Sequence, residues 1–303
     1  MYLNHLIIKS FTFTVRQFFI CLTILLTCLP VYSQTKRALL VGISDYPQKE
    51  SDAWTNIHGA NDVFLLSPTL KEQGYTTKVL TNKSATAKGI RKELNNLVAS
   101  CKQGDIVYLH FSCHGQPFED LDGDEEDGWD EAIVPYDAQK VYKAGKYEGQ
   151  NHILDDELNG YLKSIRTKIG AKGFVYVVID ACHAGSSYRG DEEEDSIIVR
   201  GTNRGFTPTG KEFAPRIDKR GKIKVDKSDS MANICILEAC RSYQVNTEIK
   251  ESGKYYGPLS FYVNKVLQTS PFSLDKSWTD KVNRLMNSDA RLIKQNIVIE
   301  TSL

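Results

Sequence analysis

The chain reads as an α/β protein, a three-layer sandwich of helices around a mostly parallel sheet. Two observations predict it. The runs from Ile106 to Phe111 and from Phe174 to Ile179 are continuous, rich in Val and Ile, and followed at once by small residues, as strands buried on both faces of a parallel sheet are. Segments with helical periodicity alternate with such runs, and that alternation implies parallel crossover units.

In chain order, Arg37–Ile43 is the first expected strand. His58–Gln73 has helical periodicity and stops at Gly74, a residue that accepts the backbone ending a helix. Thr76–Leu80 is a strand, Ala87–Ser100 a helix and Ile106–Phe111 a strand. After an acidic loop, Asp155–Ile169 is amphipathic and helical, Phe174–Ile179 a strand and Ile234–Leu237 another. Pro258–Leu267 and Thr279–Ile293 are expected helices, and Asn296–Ile299 is the last strand. Residues 189–230 break the rhythm. Charged, Gly-rich and without apolar repeats, they are expected as an exposed surface loop.

Residues 1–33 place Lys9 and Arg16 before an apolar stretch from Phe18 to Leu29 and end at Ser33, the layout of a secretory signal peptide. An uncleaved anchor is disfavoured, because the apolar run falls short of the ~20 residues that span a bilayer. Lipid attachment at Cys28 is disfavoured too, because Thr27 fits poorly beside an acceptor cysteine. The expectation is an exported protein, periplasmic or secreted, with no stable membrane insertion. Residues 34–303 are long enough for one sizeable α/β domain. Loss of Lys9 and Arg16 from a chain of net charge zero leaves a slight acidic excess, so no basic field points to nucleic acid. Cys101, Cys113, Cys182, Cys235 and Cys240 remain, an odd set that leaves at least one thiol unpaired outside the cytoplasm and shows no zinc spacing.

The two apolar runs end in reactive pairs: Ser112-Cys113-His114-Gly115 after the first, Asp180-Ala181-Cys182-His183-Ala184-Gly185 after the second. Ligands of parallel sheets bind beyond the carboxyl ends of the strands. A His ending one strand and a Cys ending another form the layout of a nucleophile and its base. Each also has a plain structural reading, a buried small hydrophobe for Cys182 and a satisfied strand-end residue for His114. Neighbours on an extended chain point to opposite sides, so only one member of each pair can face the cleft.

These pieces resemble the caspase-like cysteine peptidases, and among them the metacaspases and their bacterial relatives. Ala38 to Ile43 as an opening strand, Gly59-Ala60-Asn61-Asp62 at a helix start, and the run from Trp129 to Pro135 add to the resemblance, in family order over nearly all of 37–300. The resemblance implies Cys182 as nucleophile and His114 as base, with the N–H groups of Gly115 and Cys182 holding the oxyanion. It also implies a pocket for the residue before the scissile bond, lined by Asp62, Ser112 and Asp180. Two carboxylates in a partly desolvated slot favour Arg or Lys in a protein or peptide substrate. The arginines with which true caspases select Asp have no clear counterpart here. A helix cap at Asp62 and a backbone contact at Asp180 are the alternative roles.

The acidic tract from Asp120 to Glu131 is no EF-hand, since Glu125 stands where that loop needs Gly. Metacaspases often bind calcium through scattered aspartates, and the resemblance implies Asp130, Asp155 and Asp156 as ligands, with a fourth from Asp191 to Asp195; a solvated acidic loop is the alternative. Arg200, Arg204, Lys211, Arg216, Lys219 and Arg220 are candidate self-cleavage sites in the expected loop. Residues 236 to 244 resemble the family's fifth strand and pocket loop, with Cys240 structural rather than catalytic. The resemblance implies a cysteine endopeptidase cutting after Arg or Lys through an acyl-thioester. A clostripain- or gingipain-like enzyme and a catalytically silent protein-binding module remain open.

Overall fold

The computed structural model describes residues 34–48, 52–123, 125–182, 197–215, 222–225, 228–272 and 277–303. The expected leader at 1–33 lies outside them, as do His183, Asp191 to Asp195, Arg216, Lys219 and Arg220. Residues 34–303 form one compact unit. Among the described residues no helix is long and apolar enough to cross a membrane.

The elements run β1 (Lys36–Gly42), α1 (Gly59–Glu72), β2 (Tyr75–Thr81), α2 (Ala87–Ser100), β3 (Ile106–Ser112), β4 (His114–Glu119), β5 (Trp129–Val134), β6 (Ile153–Leu154), α3 (Asp155–Ile169), β7 (Phe174–Asp180) and β8 (Lys222–Lys224). There follow β9 (Asn233–Glu238), β10 (Ile249–Glu251), β11 (Lys254–Tyr256), α4 (Pro258–Leu267), α5 (Ser277–Ser288) and β12 (Val298–Thr301). The main sheet has the order β2-β1-β3-β7-β9-β12-β8. Its first five strands are parallel; β12 joins antiparallel to β9 and parallel to β8.

Successive strand residues face opposite sides, and this divides the core into two layers. Val107, Leu109, Val175 and Val177 face α2 and α3, meeting Leu94 and Leu162. Tyr108, Tyr176 and Val178, one step out of phase, face α1, α4 and α5, meeting Leu66, Val263 and Trp278. The central strands β3 and β7 are therefore apolar at nearly every position, which is why their runs show no alternation.

Three features differ from the sequence expectation. After β3 the chain turns at Cys113, leaves the main sheet and continues at once as β4, which forms a small separate sheet with β5 and β6. β4 mixes Gly, Pro and polar residues, β5 has charged residues near its start beside the acidic loop, and β6 is two residues long, so none has the length or pattern that reads as a strand. The last expected helix ends at Ser288, and a single 3₁₀ turn at Ala290–Leu292 follows. The expectation of an exposed loop at 189–230 fails between 197 and 206, where Arg200 and Phe206 are buried. Composition registers charge and missing periodicity, and both hold for a segment bound in a cleft as well as for one in solvent.

Candidate active site

Register brings the site together. Ser112 pairs with Asp180 across parallel β3 and β7, so His114 and Cys182, two residues further on, leave neighbouring strand ends on the same edge of the sheet. Cys113, between Ser112 and His114, points into the core, where burial pushes its thiol up to about 12. It is no nucleophile.

His114 is buried and held in one orientation. Its Nε2 donates to the Thr55 carbonyl at 2.8 Å, so Nδ1 carries the free lone pair, and no hydrogen-bond partner reaches that buried atom. The Trp54 ring stacks on the imidazole at 4.9 Å, and the Tyr46 hydroxyl accepts from the His114 amide at 3.1 Å. Burial lowers its pKa to about 3, so the ring is a neutral base. Trp54 and Thr55 lie in the irregular stretch before α1, where no pattern in the sequence singles them out.

Cys182 and His114 do not touch through Nδ1. The Cys182 thiol instead donates to the Gln244 carbonyl at 2.9 Å, beside Cys240, and the hydrogen bond to Cys182, with burial, pushes the Cys240 thiol up. The backbone between the pair belongs to the chain itself. The carbonyl oxygen of Arg200 accepts from the Gly115 amide at 3.2 Å and from the Cys182 amide at 3.0 Å, the two donors expected to hold an oxyanion. On the N-terminal side of Arg200, Arg200 N donates to Asn246 O at 3.0 Å and Glu248 N to Ile198 O at 2.9 Å, with Val199 bridging Thr247 antiparallel. Gly201 lies against the Cys182 carbonyl so closely that a Cβ there would overlap it.

The Arg200 side chain fills the acidic pocket. Asp62 enters from the first turn of α1, Ser112 ends β3 and Asp180 ends β7, all fully buried. Nη1 lies 2.7 Å from Asp62 Oδ2 and 3.8 Å from Asp180 Oδ1, and donates at 2.5 Å to Ser112 Oγ. Glu248, which the sequence reading missed, takes the other edge: its Oε1 accepts from Nη2 at 2.9 Å and from Nε at 3.1 Å. An acid just beyond the pocket-loop resemblance at 236 to 244 was the available signal. His58 in turn meets Glu248 Oε2 through Nδ1 at 2.5 Å. The lack of a Cβ at Gly257 leaves room for both the Asp180 carboxylate and the guanidinium.

The pocket carboxylates carry further hydrogen bonds. Asp62 also accepts from Ser112 Oγ at 2.6 Å and from Gly257 N at 3.0 Å. Asp180 accepts from Asn246 Nδ2 and Ser260 N, each at 2.7 Å, and from Ser260 Oγ at 2.6 Å. Burial raises Asp62 to about 7 against the pull of Arg200, and the charges on Asp180 and Glu248 push the same way as burial. Burial alone would lower the guanidinium of Arg200; the charges of Asp62, Glu248 and Asp180 outweigh it and hold the pKa above the ordinary value.

The three expected calcium ligands do not converge. Asp155 and Asp156 are consecutive on α3, about 100° apart around the helix; the first lines a cavity with Asp127 and Glu131, the second another with Asp122 and Glu148. Asp130 is buried on β5. Among the described residues no group of three His, Cys, Asp or Glu is arranged to hold a metal ion, and the expected fourth ligand, from Asp191 to Asp195, lies outside them. Of the described basic residues in the loop, Arg204 is half exposed beside Asp52 at 3.5 Å and Lys211 caps the Gly128 carbonyl at 2.8 Å; Arg200 alone occupies the cleft.

A family model described as "Caspase domain" matches residues 35–302. Metacaspase-1 of Mycosarcoma maydis is 27% identical over 291 residues, 84% of this chain and 67% of that protein. Metacaspase-1A of Aspergillus fumigatus is 31% identical over 273 residues, 78% of this chain and 62% of its own length. Metacaspase-2 of Arabidopsis thaliana is 33% identical over 165 residues, 52% and 36% of the two chains. The chain thus spans about two thirds or less of these relatives. A crystal structure of a Geobacter sulfurreducens protein superposes with a TM-score of 0.60 at 20% identity, covering 88% of this chain and 93% of that one, which shows a shared fold.

The buried titratable groups set a pH dependence of stability. His110, His114 and His152 are lowered by burial to about 4, 3 and 3, beneath the unfolded value of about 6.5. The unfolded chain therefore takes up protons that the fold refuses, and stability falls as pH drops from about 6.5 toward 4. Asp62, raised to about 7, works the other way, since the fold keeps its proton between pH 4 and 7 where the unfolded chain does not. Three groups against one leave a net loss, on the order of 1–2 kcal/mol per histidine at pH 5. Thermal melts at pH 7, 5.5 and 4.5 should show a falling midpoint, with a shallower fall in His152→Gln. A midpoint constant across this range would show the histidines to be protonated within the fold.

Proposed function

We propose that this chain, which belongs to the caspase-domain family, is a cysteine endopeptidase that cuts after arginine, and less readily after lysine, and whose first substrate is its own bond between Arg200 and Gly201. One observation carries this reading: a single residue has its side chain among the pocket acids and its carbonyl oxygen on the two oxyanion donors. A salt bridge made only for stability needs the side chain and not the carbonyl.

The chemistry follows from the atoms present. The Cys182 thiol turns from the Gln244 carbonyl, gives its proton to His114 Nδ1, and its sulfur bonds the Arg200 carbonyl carbon. Electrons of the C=O bond pass to the oxygen, which the Gly115 and Cys182 amides stabilise. As the C–N bond breaks, the Gly201 nitrogen takes the proton from His114 and leaves; the acyl group stays on sulfur as a thioester. Water, losing a proton to the same Nδ1, hydrolyses the thioester and restores the thiol.

Arginine is favoured over lysine because Glu248 is engaged by Nε and Nη2 together. A lysine ammonium offers one charge centre and no such fork. Protein substrates with a basic residue at the cut fit the same pocket, and a small residue after it fits the narrow space taken by Gly201.

Mass spectrometry of freshly folded protein tests the self-cut. Wild type should yield a break between Arg200 and Gly201, Arg200→Lys a slower one, and Arg200→Ala none there, while Cys182→Ala and His114→Ala, shown folded by circular dichroism, stay whole. Cutting that persists in Cys182→Ala, or that leaves this bond untouched, would overturn the proposal.

Glu248→Gln tests the fork separately. It should lower kcat/KM for an arginyl peptide by about tenfold or more, from loss of a charge-assisted pair, and affect a lysyl peptide less, so the Arg to Lys ratio narrows. An unchanged ratio would remove Glu248 from specificity.

A further inference from the structure

Beyond the scissile bond the chain runs parallel to β4 and meets it at two isolated bridges, Gly201 with Gly115 and Phe206 with Phe118, bulging between them. Gly201 bridges Gly115, the Arg204 carbonyl accepts from Gln116 Nε2 at 2.9 Å, Phe206 N donates to the Pro117 carbonyl at 2.8 Å, and the Phe206 carbonyl accepts from Glu119 N at 2.9 Å. This is a peptide added to the edge of a strand, parallel to it. The strand that begins with the base therefore also borders the leaving side, on which Phe206 is the sixth residue.

The Phe206 ring ends in a pocket made wholly by other parts of the chain. It lies face to face with Phe118 at 4.8 Å and 18°, against His152 at 4.7 Å, and meets the edges of Tyr147 at 5.7 Å and Tyr142 at 5.8 Å. Gly149 gives the ring of Phe118 its room, since a Cβ there would overlap it. The walls are fixed without the ligand. His152 accepts from the Tyr147 hydroxyl at Nδ1, 3.1 Å, and donates from Nε2 to Gln116 Oε1 at 3.0 Å, so the imidazole is neutral with both nitrogens satisfied. What remains for a ligand is an apolar, ring-shaped slot.

We propose that Phe118, Tyr142, Tyr147 and His152 form a leaving-side subsite that takes an aromatic side chain six residues past the scissile bond. Phe206 holds it in the intact chain, and protein substrates with an aromatic residue at that position compete for it. The proposal rests on the reading of Arg200 as the residue before the cut. It gives the enzyme a second point of selection, remote from the basic pocket and read through the same strand.

The test is binding to the full chain carrying Phe206→Ala. Two labelled peptides are compared by fluorescence anisotropy, residues 201–211 and the same sequence with Ala in place of its Phe. Burial of one aromatic ring should make the Phe peptide bind about tenfold more tightly, while wild type, its subsite filled, should discriminate much less. Should Phe206→Ala melt below the assay temperature, Phe206→Leu takes its place with the same contrast at smaller amplitude. Equal binding of the two peptides, or binding of neither, overturns the subsite. Hydrolysis of an arginyl aryl-amide, which carries nothing on the leaving side, is followed in parallel. Its absence would count against the peptidase reading and would leave the peptide comparison to decide the subsite.

Discussion

The structure depends on one buried cation. Asp62, Asp180 and Glu248 reach a single point from α1, β7 and the segment before β10, each with no exposed side-chain surface at the ion pair, and Arg200 meets all three. Carboxylates at that depth are costly without a partner, and removal of one member of such a network costs on the order of 3–5 kcal/mol. The acids therefore require a guanidinium, and a loop whose composition reads as solvated chain is drawn across the cleft to supply it. The backbone follows the side chain. Once Arg200 is seated, its carbonyl falls to the Gly115 and Cys182 amides and Gly201 to the space beside Cys182.

That seating works only because the sheet has already fixed the distances. The pairing of Ser112 with Asp180, and of Gly42 with Ser112 on the other side, sets the pocket floor by register rather than by loop geometry. The same strand ends then issue the base and the nucleophile one short step further on. Orientation of the base comes from the irregular stretch before α1, where Thr55 accepts the Nε2 proton and Trp54 covers the ring. A rigid sheet thus sets position, and the chain around it sets protonation and aim.

The sequence was legible where a residue's type follows from its element. Strands buried on both faces must be apolar throughout, so β3 and β7 could be read directly, and with them Ser112, His114, Asp180 and Cys182 at their ends. Helices α1 to α4 were read to within a few residues for the same reason, since one face of each must meet the sheet. Legibility failed where function depends on a rotation or on a partner elsewhere in the chain. The sequence did not show that the consecutive Asp155 and Asp156 line different cavities, because their spread around the helix depends on where the helix begins. Glu248 carried no motif, and its role appears only once Arg200 lies beside it. Arg200 itself was one of six basic residues singled out as candidate cuts; Arg200 and Arg204, alike in type, differ in burial.

The same charge balance makes the intact chain self-limiting. While Arg200 is joined on both sides, the pocket is satisfied, the oxyanion donors are occupied and the thiol rests on the Gln244 carbonyl, so no other peptide can bind productively. Under the proposed reading, cleavage after Arg200 would change each of these at once. The new carboxylate would add a negative charge beside three acids, and the residue, tethered from one side only, would be held less firmly at the point where it had been strongest. Once it withdrew, the acids would again lack a cation, and a basic residue on another chain would be the nearest remedy. The interaction that closes the cleft in the intact molecule would then be the one that recruits substrate, which would give latency and specificity a single physical origin.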